Sequence, residues 1–592
     1  MNTSGLSPTN RADAAGEAGR PTIRGTRHAC VAGHYLAAHA GFAILEAGGN
    51  AVDAGVAAGI AEGVVQSEQV NVAGIAPCMI YLANTREVVT IAGVGSWPRA
   101  ASCEELERLH QGRIPRGLLR TVVPAAPATW VTALRRYGTM SFGDVAAAAL
   151  RFARDGFAIH PYNAEQIRRN ADDYREWPQN AEVYLPGGNP PEAGDLFVQP
   201  DLARSLQYLV DEERAAAGLG RDAALQAVHD AFYRGDIARA ILAYHRDHGG
   251  WLAAEDLDTF AVEVAPAVRG SFRGMDVCTC GFWSQGPTLI QMLNLLEGLD
   301  LRALGHNGDR YLHVLVEVVK LAFADRHQYY GDPRAIAVPA RGLLSKAYAD
   351  LRRGLFDPDH AWPGLPPPGD PWSGAAVAEG SAVLDDAASP SQWGPAPALD
   401  TTYCCAVDRT GNVFSVSPSD TSSDAPLIPG TGLCPSARGA QAWVDRNNPN
   451  CIAPGKRPRI TPNPVLLLQD GRPVFALGTP GGDLQPQAIL QALLNMLEFD
   501  MTPQQAVEAP RFVSWSFPNS REPHAYPAGM LALEARIGPA TGEALAARGH
   551  RIAWWPERTG RAGGVCCIRF DHRTGIFEAA ADFRRAGYAL GW

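Results

Sequence analysis

Two threonines stand back to back behind an aspartate in ALDTTYCCAVDRTGNVFSVSPSD, the stretch from Ala398 to Asp420. Behind Asp400, Thr401 and Thr402 the chain alternates apolar and small residues, turns at Asp408 to Asn412, and alternates again. That pattern predicts a buried hairpin. A hairpin needs no Thr-Thr start. If the chain is cut between Asp400 and Thr401, Thr401 carries a hydroxyl and a free α-amine on one residue. An α-amine has a pKa of roughly 7.7–8.0, far below that of lysine. At neutral pH it takes the proton from its own hydroxyl, supplying nucleophile and base without a histidine. The same hydroxyl can make the cut by attacking the preceding carbonyl. The plainer reading is that both threonines are ordinary strand residues.

Acyl transfer also needs donors for the oxyanion. GTPGGDLQP, from Gly478 to Pro486, follows a strand-like run and precedes a helical one. Backbone N–H groups of Gly481 and Gly482 near a helix N-terminus suit that task. A plain strand-to-helix turn is the alternative. Asp483 either orients a polar substrate group or caps the following helix.

The elements that must position these groups read as follows. Residues 34 to 66 predict two Ala-rich helices broken at Gly48-Gly49-Asn50, with Asp53 near the second N-terminus where the helix dipole favours it. Two strands follow at Met79 to Leu82 and Val88 to Ala92. Residues 124 to 158 and most of 160 to 260 are helical in pattern. Met275 to Gly281 predicts a strand, and Pro287 to Leu301 and Asp309 to Tyr330 predict two long helices. Residues 357 to 400, with WPGLPPPGDPWSG, read as a long exposed connector. Beyond Thr402 come strands to Leu477, helices at Gln485 to Glu498 and Pro503 to Ala509, and strands again at Ile552 to Trp555 and Gly564 to Phe570. This order predicts a layered α/β sandwich.

The chain has 592 residues and a net charge of −10 without a basic run, which argues against nucleic acid and anionic membrane surfaces as partners. No segment approaches 18 uninterrupted apolar residues. Residues 1 to 30 are polar and lack an apolar h-region, so they read as a disordered lead-in and the location as cytoplasmic. The 11 cysteines are odd in number and include the adjacent pairs Cys404–Cys405 and Cys566–Cys567. Neighbours on a strand point to opposite faces, so these read as reduced, mostly buried thiols. No metal site and no cofactor are predicted.

Together the segments resemble the γ-glutamyltranspeptidase family of N-terminal-nucleophile hydrolases over roughly residues 30 to 590. The likeness rests on ILEAGGNAVDAGVAAGIAEGVV (Ile44 to Val65), VEVVKLAFADRHQYYGDP (Val316 to Pro333), TTYCCAVDRTGNVFSV, APGKRPRITPNP (Ala453 to Pro464) and GTPGGDLQPQAILQALLNMLEFDMTPQQAVEAPRF. The resemblance implies a proenzyme that cleaves itself before Thr401 into a large chain, 31–400 after the lead-in, and a small chain, 401–592. The two would stay associated in one αββα unit, and a homodimer of such units is compatible. It implies Thr401 as nucleophile, Ser419 as the hydroxyl near the new α-amine, and Gly481 and Gly482 as the oxyanion pair. The substrate would be a small amide, hydrolysed or used for acyl transfer.

The departures from the family concern the substrate. The family's carboxylate-binding Arg falls on Val94, its Ser-Ser pair on Ile460 and Thr461, and its Asn beyond the active-site hydroxyl on Thr421. The amine-binding acidic segment falls on Ala440 to Val444, with no acid until Asp445. Leaving a charged carboxylate without a partner costs several kcal/mol, roughly a thousandfold in affinity. An acyl group other than ordinary γ-glutamyl is therefore expected, with true γ-glutamyl transfer through a relocated clamp as the second reading and an inactive binding protein as the third. Arg99, Arg438 and Arg459 are candidates for such a clamp, while Lys456 and Arg457 follow the family's own loop pattern. Tyr403, Trp97 and Trp283 either line a flatter pocket or are plain core.

Overall fold

The computed structural model describes residues 18–373 and 400–592. Most of the connector, 374–399, and the first part of the lead-in, 1–17, lie outside the described residues. Two seven-stranded antiparallel sheets form the centre. In one, the strand Cys404–Val407 lies between Ala29–Ala32 and Val413–Val416, and Val413–Val416 in turn pairs with Cys78–Leu82. In the other, Val465–Gln469 lies between Met275–Thr279 and Arg472–Gly478. Both sheets therefore contain strands from before and after position 400, hydrogen-bonded to one another. A cut at that position opens no seam between the halves.

The alternation of side chains builds the layers. Cys405 and Val407 enter the core between the sheets with Val31, Met79, Cys278, Leu466 and Ile568. Cys404 and Ala406 face the other way, onto the helices Tyr35–Glu46 and Ala51–Val65. Cys566 and Cys567 split between the inner core and the opposite helical layer in the same manner. That second layer holds the helices Gly286–Leu296, Asp309–Tyr329 and Gln485–Leu497. The order is helix, sheet, sheet, helix.

Small residues let the first helical layer approach. All of Ala51–Val65 is buried, and a Cβ on Gly55 would fall 1.9 Å from Phe414 Cδ1. The helix starts with a capping box between Asn50 and Asp53. Asp53 is buried because it also receives the Thr139 and Met140 N–H groups and the Thr139 hydroxyl.

Three expectations need correction. The lead-in is shorter than 30 residues: Ile23–Gly25 pairs with Ile576–Ala581, and Ala29–Ala32 is a central strand. Both runs, of three and four residues, are too short to show a period. The first long helix of the second layer ends at Leu296, not Leu301, because Glu297 turns to extended backbone and Gly298 to positive φ. The described start of the connector is not free in solvent: Trp362 O accepts from buried Lys320, the Leu365 N–H meets the Tyr526 hydroxyl, and the Gly369 N–H meets Asp325. Strands at Val264–Pro266, Val268–Phe272, Ile576–Ala581 and Tyr588–Gly591 join the sheets without having been expected.

Gly55→Ala is expected to lower stability by about 1–3 kcal/mol, because the new methyl meets the fixed root of the Phe414 ring. A urea midpoint unchanged from wild type would show that the two layers are less tightly closed than described.

Candidate active site

Thr401 and Thr402 precede the strand Cys404–Val407 and do not belong to it. The ladder nevertheless extends to them: the Thr402 N–H donates to Pro418 O at 3.0 Å, and the Gly33 N–H donates to Tyr403 O at 3.0 Å. Across the hairpin, Ser419 exchanges backbone hydrogen bonds with Ile75 at 3.0 and 3.2 Å. These pairings bring the hydroxyls of Thr401 and Ser419 to 2.5 Å, both fully buried.

Thr401 has φ +84°. For a β-branched residue this is strained, with a cost of order 1–3 kcal/mol. The strain sits on the residue that follows the Asp400–Thr401 peptide bond. The Thr401 N–H donates to Gln69 O at 3.1 Å, and its hydroxyl reaches Asp400 Oδ1 at 3.3 Å.

Asp400 is itself buried, and its carboxylate is held by Arg438 and by Arg521, the latter at 3.2 Å. Arg438 also donates to Ser419 Oγ through the same terminal nitrogen. A guanidinium can only donate. Ser419 therefore accepts from Arg438 and turns its own proton to Thr401, whose proton points to Asp400. Asp420, one residue past Ser419, also has positive φ, +126°. It lies 3.3 Å from Arg438 Nε and accepts from Ser436 at 2.6 Å; burial pushes its carboxyl up to about 6 against the pull of Arg438. Farther out, Arg521 pairs with Asp424, on which Arg120 closes at 3.1 Å.

The Gly481-Gly482 turn follows the strand Arg472–Gly478, whose last residue packs on Tyr403: a Cβ on Gly478 would fall 2.2 Å from the ring. Gly481 and Gly482 have φ of +125° and +63°. A Cβ on Gly481 would strike Leu484 at 2.6 Å, so the turn needs glycine there. Among the described residues their N–H groups donate to no protein acceptor. Gln285 fixes the turn by donating to Gly482 O at 2.8 Å.

Of the other candidates, only Arg438 joins this centre. Asp483 does not cap the following helix, which has no side-chain cap. Its oxygens are taken by Arg326 and by the Ser520 N–H and hydroxyl, which hold the carboxyl below its usual range despite burial. Arg459 is buried against Arg326 O and Ser520, and burial lowers it to about 9. Arg99 is on the surface beside Glu255. Tyr403 lies between the sheets with its hydroxyl on Ser415 at 2.8 Å, so it is core and not pocket lining. Trp97 and Trp283 are likewise core. Thr421 donates to Glu68 O, and Thr461 accepts from Gln441 at 2.9 Å. Lys456 and Arg457 brace the covering loop, through Pro449 O, Cys451 O and Asp332.

Arg521, Asp420, Asp424 and Glu62 are not expected at the site from the sequence. Asp420 sits beside Ser419 in the chain and was the one visible locally. Glu62 is fully buried and accepts from the Gly33 N–H at 2.8 Å and the Thr402 hydroxyl at 3.2 Å. Burial outweighs these bonds and raises its carboxyl to about 8. Among the described residues one buried group, His313, Glu317 and His550, has ligand atoms close enough for a cation. Its Glu317 already meets the Lys320 ammonium at 2.8 Å, and its two histidines bond each other, so the charge is balanced without one.

With this geometry the comparisons can be placed. A family model described as gamma-glutamyltranspeptidase matches residues 37–592. The chain belongs to the γ-glutamyltranspeptidase family, and its layered fold is that of the N-terminal-nucleophile hydrolases. It is 34% identical over 581 residues to the Acylase ACY 1 proenzyme of Pseudomonas sp. (strain SE83), covering 95% of this chain and 93% of that one. It is 29% identical to the Glutathione hydrolase-like YwrD proenzyme of Bacillus subtilis (strain 168), covering 96% and 99%. The solved cephalosporin acylase from Bacillus halodurans superposes with a TM-score of 0.83 at 25% identity, covering 100% of this chain and 99% of that one.

The raised Glu62 carboxyl makes a pH prediction. A group that binds its proton more tightly when folded contributes stability below its unfolded value, lost as pH rises through the folded value. Stability should therefore fall between about pH 4.5 and 8. Glu62→Gln should flatten that slope and gain on the order of 1 kcal/mol at pH 8.5. Parallel wild-type and variant denaturation curves across this range would remove Glu62 as the cause.

Proposed function

We propose that this protein is a self-processing N-terminal-threonine amidohydrolase or acyltransferase whose nucleophile is Thr401. The observation that carries this reading is the buried 2.5 Å contact between the Thr401 and Ser419 hydroxyls, beside the positive φ of Thr401. In the precursor, the Thr401 hydroxyl attacks the Asp400 carbonyl. The C–N bond breaks, a C–O ester forms, and the proton passes to the released α-amine. Water then hydrolyses the ester and leaves Asp400 as a carboxylate at the end of the large chain.

The freed amine is the base for turnover. It takes the hydroxyl proton as Thr401 attacks a substrate amide and returns it to the leaving amine. A second cycle with water, or with an acceptor amine, releases the acyl group. Ser419 donates to the Thr401 oxygen and Gln69 O anchors the amine. The Gly481 and Gly482 N–H groups are assigned to the oxyanion; two such donors are worth several kcal/mol of transition-state stabilisation in other acyl-transfer enzymes. The strand pairs that join the two halves in both sheets keep the large and small chains together after the cut. Relatives named as proenzymes support processing of this kind.

The acyl group is not bound as an ordinary γ-glutamyl group. Val94 is apolar and buried, Ile460 is tied into backbone pairing with Trp283 and Gln285, and the Thr461 hydroxyl is engaged by Gln441. None of them serves a carboxylate.

Thr401→Ala is expected to give one uncleaved chain with no amide turnover. Ser419→Ala is expected to slow both reactions by about a hundredfold or more. Intact-mass measurement after incubation with an amide should show the acyl group on the 401–592 chain. A Thr401→Ala protein that still divides and turns over would move the chemistry to another residue.

A further inference from the structure

Asp400 is both the residue before the cut and the acyl group on the Thr401 nitrogen. When the Thr401 oxygen takes over that group, an aspartyl ester becomes the first acyl-enzyme this site holds. Its carboxylate is gripped by Arg438 and Arg521. Hydrolysis then removes this carboxylate with the end of the large chain, and the two guanidiniums lose a shared partner. Arg438 is 1% exposed, and its Nη1 has no hydrogen-bond partner even in the precursor. The acids left beside the pair are Asp420, 3.3 Å from Arg438 Nε, and Asp424, already shared by Arg521 and Arg120. A buried guanidinium stripped of its carboxylate is costly, and a ligand that restores the carboxylate recovers that cost. The Arg521 side of the clamp faces a cavity of about 760 Å³, which is also lined by Asp424, Arg120 and Glu522, while Arg438 lies behind it.

We infer that the substrate's acyl group carries its own carboxylate, bound by Arg438 and Arg521 where the Asp400 carboxylate lies in the precursor. This rests on Thr401 being the nucleophile. The span from carbonyl to carboxylate in Asp400 includes two carbons. That is the span of a succinyl monoamide, and it is one methylene shorter than in a glutaryl or γ-glutamyl group. The substrate class is thus the N-acyl derivatives of a four-carbon dicarboxylic acid. The precursor's last residue occupies the acyl subsite as an internal copy of the substrate.

The test uses the full-length, self-processed protein and four p-nitroanilides: succinyl, its neutral isostere succinamoyl, glutaryl and γ-glutamyl. The succinyl compound should exceed succinamoyl in kcat/KM by about tenfold or more, the margin of a charge-assisted bond. It should also exceed the two longer compounds. Arg521→Gln, which leaves the contact of Arg438 with Ser419 in place, should bring the succinyl-to-succinamoyl ratio close to one. Arg438→Gln should do the same if it self-cleaves. Because that variant can fail to process, the clamp is also read without catalysis. Succinate should raise the melting temperature of an uncleaved Thr401→Ala/Asp400→Ala precursor and not that of Thr401→Ala, whose Asp400 fills the site. Equal turnover of the succinyl and succinamoyl compounds, or no stabilisation of the double variant by succinate, would overturn the inference. So would a protein that self-cleaves and turns over none of the four, while Thr401 as nucleophile would still stand. A wild-type chain that stays whole would remove the nucleophile itself.

Discussion

The contact between the Thr401 and Ser419 hydroxyls depends on sheet register more than on either side chain. The two residues are brought together by a hairpin in which Cys404 faces Val416, and the pairing continues outward through Thr402 N–H to Pro418 O. Ile75 then holds Ser419 from the neighbouring strand side. A one-residue slip would turn Ser419 to the other face and separate the hydroxyls. Such a slip is opposed on both sides of the sheet. Cys405 and Val407 are packed against the second sheet, and Cys404 and Ala406 against a helix whose Gly55 leaves no room for a Cβ beside Phe414. The tight Ala- and Gly-rich layer therefore helps to fix the register that brings the Thr401 and Ser419 hydroxyls together.

A second feature follows from burying so much charge beside that contact. Arg438, Arg521 and Arg120 face Asp400, Asp420 and Asp424, with little water on either side of Arg438. Each charge is tolerated because another answers it. If the chain is cut as proposed, the loss of Asp400 changes that balance beside Thr401. The proposed cut lies at a residue with positive φ, Thr401 at +84°. Backbone strain and buried charge thus meet at the Asp400–Thr401 bond.

Much of this was legible in the chain. The period-2 run after Thr402, the Gly stop before Asn50, and the glycine pair after a strand each have a local physical cause, and each lies where the pattern placed it. The adjacent cysteines split between two cores because strand neighbours must. What the sequence hid was distance. Arg521 lies in a proline-rich loop, FPNSREPHAYP, with no periodic signal, and reaches Asp400 across 121 positions. Arg438 was visible only as an arginine without a structural task. Asp483 looked like a cap because it precedes a helix, yet Arg326, 157 residues away, claims it. Short edge strands such as Ile23–Gly25 carry too few residues to show a period, and only their partner in the finished sheet identifies them.

Terminal sequencing and accurate mass of the smaller fragment, taken from freshly purified protein, ask most directly whether Thr401 becomes an amino terminus. The expected fragment begins Thr-Thr-Tyr-Cys, with an unmodified amine and the mass of residues 401–592. A fragment starting elsewhere, or an active protein whose chain runs unbroken through Asp400 and Thr401, would contradict the assignment of Thr401 as both nucleophile and base.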